Sequence, residues 1–124
     1  MLLSEAGYDQ TNHDDGVKSI RRESLTITDA IVALVDLYEK LYRTDAYNIN
    51  CGMCEDFAYD VLDLIGKGDD SFAAWGDELT GPDDDPDQYA YHCIVVYKGR
   101  YYDSQHPEGV DDFRTISAFQ GDQE

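Results

Sequence analysis

Cys54, His92 and Asp103 could do covalent chemistry together if the fold gathers them. A thiol attacks as its thiolate, and an imidazole can take and return a proton near neutral pH. A carboxylate can hold that imidazole in one tautomer. The residues after Cys54 favour its ionisation. Cys54, Phe57, Ala58, Val61, Leu62 and Ile65 follow the spacing of one buried stripe on an amphipathic helix. Gly66 supplies a C-terminal stop, and Asn50 and Gly52 can cap or shape the entry. Glu55 and Asp56 lie where a helix start favours negative charge. Cys54 therefore belongs to a first turn, on the inward face, where free N–H groups and the helix dipole stabilise a thiolate.

A hairpin brings the other two residues together. Residues 89–97 form the clearest predicted strand, rich in aromatic and β-branched side chains, and residues 100–103 return after a Lys98-Gly99 turn. A two-residue loop sets Tyr97 opposite Arg100, Ile94 opposite Asp103 and His92 opposite Gln105. Alternation then puts His92, Ile94 and Val96 on one face with Tyr101, Asp103 and Gln105. His92 and Asp103 become diagonal neighbours, with Cβ atoms within about 8 Å, close enough for an imidazole–carboxylate hydrogen bond.

The stretches Cys54-Glu-Asp-Phe-Ala and His92-Cys-Ile-Val-Val-Tyr-Lys-Gly-Arg-Tyr-Tyr-Asp103 resemble the papain-like superfamily, and most of all its transglutaminase-like branch. That superfamily orders Cys, His and then Asp or Asn on a helix followed by an antiparallel sheet. The resemblance spans residues 48–105. It implies an α+β fold with N-terminal helices packed on a small antiparallel sheet. It also implies Cys54 as nucleophile, His92 as general base and acid, and Asp103 as the group orienting the imidazole. The backbone N–H of Cys54 would face the oxyanion, helped by the side-chain amide of Asn48 or Asn50, with Trp75 and Tyr91 at the substrate groove. The implied chemistry is acyl transfer from a peptide or protein amide, or from a thioester, to water or an amine. Peptidase, amidase, deamidase and transglutaminase-like reactions share this constellation, and none of them implies a cofactor or a metal.

The elements that must position these groups fit one domain of 124 residues. Residues 1–16 read as a flexible, irregular segment, residues 17–119 as a single compact catalytic-type domain, and residues 120–124 as a frayed tail. A helix is expected over 28–43, with Ile31, Leu34, Val35, Tyr38, Leu41 and Tyr42 on one face and Thr26 or Thr28 as cap. Residues 44–50 read as a loop, 71–75 as a short strand or apolar bridge, 76–88 as an exposed acidic loop, and 105–110 as irregular. Phe113, Ile116 and Phe119 could pin a closing element.

Charge narrows the partners. The formal net charge is −18, from 27 acidic and 9 basic residues. Too few cations are available to replace nucleic-acid counterions, so direct DNA or RNA binding is not expected. A solvated acidic surface is the plainest account of the charge, and a basic protein partner is the functional one. No apolar run is long enough to span a bilayer, and the first residues lack a secretory pattern. With 3 cysteines, an odd number, reduced thiols and a cytoplasmic location are expected.

Other chemistries compete for the same residues. Cys51-Gly-Met-Cys54 has dithiol redox spacing, but a helix rather than a strand precedes it. Cys51, Cys54, His92 and Cys93 are zinc-type ligands, although adjacent strand residues point to opposite sides. Asp83, Asp84, Asp85 and Asp87 lack the spacing of a calcium loop. Cys51 could also replace Cys54 as the nucleophile. A non-enzymatic acidic interaction protein, with Cys54 and His92 as ordinary buried residues, is the bland alternative, and His13 and His106 read as loop residues.

Overall fold

The computed structural model describes residues 10–21 and 26–120. The 1–9 part of the segment expected to be flexible, and residues 121–124 of the expected tail, lie outside the described residues. Among the described residues the class is α+β, five α-helices with a four-stranded antiparallel sheet in the order β1-β2-β3-β4. The helices are α1 (Gln10–Arg21), α2 (Ile27–Tyr42), α3 (Ala46–Gly52), α4 (Cys54–Ile65) and α5 (Pro86–Tyr89). The strands are β1 (Ser71–Trp75), β2 (Cys93–Tyr97), β3 (Arg100–Asp103) and β4 (His106–Val110).

The apolar stripes decide which faces meet. Ile31, Leu34 and Tyr38 of α2 and Phe57, Ala58, Val61 and Leu62 of α4 are buried together against Cys93 and Val95 of β2. The opposite face of β2 presents Ile94 to a second core made by Tyr89, Phe113, Ile116 and Phe119. Short 3-10 turns at Phe113–Thr115 and Ser117–Phe119 deliver those last three residues, the closing element the sequence suggests. The sheet is thus covered on both faces, and the start of α4 abuts the start of β2.

The hairpin register is the expected one, with Val95 opposite Tyr102, Val96 opposite Tyr101 and Tyr97 opposite Arg100. Lys98 and Gly99 both take positive φ, 50° and 81°, as a two-residue turn matched to strand twist requires. Thr26 caps α2 by accepting the Asp29 N–H at 3.1 Å.

Four local expectations are corrected. Residues 10–16 form the first turns of α1 instead of a loop, held by His13 and Val17, which are buried. The expected loop over 44–50 becomes α3, because the Asp45 carboxylate accepts the Asn48 N–H at 2.9 Å and nucleates a turn. The strand expected from residue 89 starts at Cys93; Pro86 and the Asp85 cap instead build α5, whose Tyr89 enters the second core. Residues 106–110 are strand β4 rather than irregular chain, and its edge position leaves Pro107 without a required ladder bond.

Within the acidic 76–88 stretch, Gly76–Leu79 forms a 3-10 turn. A side chain at Gly76 would run into the Tyr89 carbonyl at 2.4 Å, so only glycine lets these segments meet. That close approach matters for the site, because the Gly76 N–H donates to the His92 carbonyl at 3.0 Å.

Candidate active site

Cys54 is the first residue of α4, and no side chain caps that helix start. The thiol takes the place a cap would occupy. Its sulfur accepts the Cys93 N–H at 3.4 Å, and the neighbouring Glu55 N–H favours negative charge there. Burial opposes ionisation and is the largest single influence on this half-buried thiol. The neighbouring His92 imidazole with its charge, and the backbone N–H groups of Cys93 and Glu55, together outweigh it, so the Cys54 pKa falls below the ordinary 9.0.

His92 is fully buried just ahead of β2, with Phe119 packed against its ring at 5.4 Å. Its Nε2 meets Asp103 Oδ2 at 2.9 Å. Its Nδ1 is buried and makes no hydrogen bond, so it is the ring nitrogen left to face Cys54. Burial disfavours the charged ring, but the hydrogen bond to Asp103 and the negative charge of Asp103 and of the nearby Cys54 prevail, raising the imidazole pKa to about 9. A lowered thiol beside a raised imidazole favours the thiolate–imidazolium pair over the neutral pair near pH 7.

Asp103 ends β3, only 3% exposed, and a polar bracket fixes it. Asn50 Nδ2 donates to Asp103 Oδ2 at 3.2 Å and to Gln105 Oε1 at 2.8 Å, while the Gln105 N–H donates to Asp103 Oδ1 at 2.9 Å. The Ser104 hydroxyl lies 2.8 Å from Asn50 Oδ1 and 2.6 Å from the Ala46 carbonyl. The bracket ties α3, which leads directly into the cysteine helix, to the strand end that carries the carboxylate.

The remaining sequence candidates fall in different places. Both amide hydrogens of Asn50 are committed behind the histidine, so it has no donor left for an oxyanion. Asn48 is exposed on α3. Trp75 pairs with Cys93 across β1 and β2 and packs on the helix-side core. Tyr91 is 54% exposed, and its hydroxyl donates to the Ala118 carbonyl. Cys51 lies in α3, and its side chain is outside the described atoms. In the acidic stretch, Asp84 pairs with Arg114 at 2.6 Å and Asp85 caps α5.

No family model, curated protein or solved structure matches this chain. Sequence reasoning missed Ser104 and Gln105 as supports of Asp103 and the Cys93 N–H as a donor to sulfur. The polar run Asp103-Ser-Gln105 at a strand end is a signal for the first two; the third depends on how α4 meets β2. Among the described residues, no group of three or more His, Cys, Asp or Glu is arranged to hold a metal ion, and no helix is long and apolar enough to cross a membrane.

Proposed function

We propose that this chain is a cysteine-dependent acyl-transfer enzyme of papain-like, transglutaminase-like arrangement, acting on an amide or thioester in a peptide or protein. The observation that carries the reading is the convergence of three chain segments: the Cys54 sulfur against the Cys93 N–H at 3.4 Å, one residue from His92, and His92 on Asp103 at 2.9 Å. The Cys54 thiolate attacks the carbonyl carbon. The oxyanion develops at the start of α4, where the Cys54 N–H and the helix dipole favour negative charge. His92 protonates the leaving group as the tetrahedral adduct collapses to a thioester on Cys54. The neutral imidazole then takes a proton from water or an amine, which releases the acyl group. Asp103 keeps Nδ1 turned toward sulfur and stabilises the ring whenever it is charged. The net charge of −18 suits a substrate with basic residues near the acyl group, met in the cytoplasm where thiols stay reduced.

Intact-mass trapping tests this with a panel of peptide thioesters and glutamine-containing peptides. The expected result is an acyl adduct on Cys54, absent in Cys54→Ala and slow to discharge in His92→Ala. Turnover that survives Cys54→Ala would refute the assignment.

A further inference from the structure

Cys54 and Cys93 are separated by 39 positions in sequence, yet the Cys93 N–H donates to the Cys54 sulfur at 3.4 Å. A Cβ lies two bonds from its own N, so the Cys93 Cβ sits within roughly 6 Å of that sulfur. Both residues belong to the helix-side core, Cys93 buried within it and Cys54 packed partly exposed on its edge. Neither is in a disulfide. A disulfide asks for Cβ atoms about 3.5–4.5 Å apart; a shift of the first turn of α4 toward the start of β2 sets that spacing, and rotation about each Cα–Cβ bond then brings the sulfurs together. We infer that Cys54 and Cys93 are a redox couple: a peroxide oxidises Cys54, and Cys93 captures it as a reversible intramolecular disulfide. The consequence, regulation of the acyl-transfer site, rests on the proposed reading; the bond itself does not.

The chemistry balances with a peroxide as the oxidant. The Cys54 thiolate attacks one peroxide oxygen and the O–O bond breaks. Sulfur loses two electrons to become a sulfenic acid, and the departing hydroxide takes the proton of the His92 imidazolium to leave as water. Cys93 sulfur then attacks Cys54 sulfur, an S–S bond replaces the S–O bond, and the thiol proton leaves with the hydroxyl as a second water. The arrangement also times the two steps. Burial, then the charge on Cys54, pushes the Cys93 thiol up to about 12, so it stays protonated and unreactive while Cys54 is a thiolate. Conversion of Cys54 to a neutral sulfenic acid removes the charge part of that shift, while burial, its larger cause, keeps Cys93 a thiol that brings its own proton to the departing water. A half-buried thiolate beside a protected partner is the usual layout of a sensor cysteine with its resolving cysteine.

The full chain treated with hydrogen peroxide tests the inference by peptide mass analysis. The expected product is one species lighter by two hydrogens, with the Cys54 and Cys93 peptides joined. Labelling of Cys54 by iodoacetamide should fall at least about tenfold and return on treatment with dithiothreitol. In Cys93→Ala, oxidation should run on to the sulfinic acid, and dithiothreitol should not restore labelling. A Cys51–Cys54 bond, or a Cys54 sulfinic acid in the unmutated chain with no joined peptide, would overturn it. The readout is a covalent bond in the unmutated protein, so it stands or falls whether or not Cys54→Ala abolishes acyl transfer.

Discussion

Two histidines in this chain each place Nε2 on a carboxylate, His92 on Asp103 at 2.9 Å and His13 on Asp60 at 2.8 Å. What the other ring nitrogen meets separates them. For His92 that nitrogen makes no hydrogen bond and is left beside a thiol at the start of a helix, whose sulfur accepts the Cys93 N–H. For His13 it is the Tyr42 hydroxyl, 2.6 Å from Nδ1, beside a buried Tyr38 that donates to Asp60 at 2.5 Å. Phenols ionise near 10 in water. Here burial, and then the charge of Asp60 and its neighbour Asp56, drives the Tyr38 phenol well above that. The first cluster lowers the cost of a negative charge on its third member, and the second raises it for the phenol beside it. An Asp–His pair is therefore not a catalytic device by itself; the group it faces and the dipoles around that group decide. The His13 cluster acts instead as a clamp, joining α1 to α2 and α4 through His13, Tyr42 and Asp60.

The sharpest way to break the comparison is to remove the nucleophile. Cys54→Ala should abolish acyl transfer and the fast-labelling thiol, as read by intact mass after a short iodoacetamide pulse. Next, His92→Ala should slow acyl transfer at pH 7 by about 10²–10⁴-fold, as measured by thioester turnover. Asn50→Ala should have a smaller effect on rate. It leaves Asp103 and Ser104 short of a partner, which costs about 1–3 kcal/mol of stability in a denaturant titration. His13→Ala should leave acyl transfer unchanged and cost a similar ~1–3 kcal/mol, because Asp60 and Tyr42 lose their common partner. If His13→Ala slowed the chemistry as much as His92→Ala, the division between clamp and catalytic pair would fail.

The legible parts of this fold are those with strong local codes. The α4 stripe and its first-turn cysteine follow from 3.6-residue periodicity, and the hairpin register follows from a two-residue turn at Lys98 and Gly99. His92 and Asp103 were predictable neighbours because Asp103 ends β3 of that hairpin and His92 directly precedes β2. The rest depends on partners far away in sequence. The polar segment at 10–21 becomes helical because His13 finds Tyr42 and Asp60 across the helix packing, which no periodicity announces. Asn50 reads as a donor for an oxyanion until α3 forms and turns it toward Asp103. Strand β4 contains Pro107 and Gly109, both strand-disfavouring, and is tolerated because it lies at the sheet edge.

The pH dependence of Cys54 alkylation by iodoacetamide, compared between the unmutated chain and His92→Ala, is the most direct test of the thiolate–imidazolium pair. With the pair in place, the thiolate appears at a pH below the ordinary 9.0 of a thiol, and thioester turnover declines as pH rises through about 9, where His92 loses its proton. The His92→Ala midpoint should move up, since burial then opposes ionisation with less to offset it. The same midpoint in both proteins would contradict the pairing of Cys54 with His92.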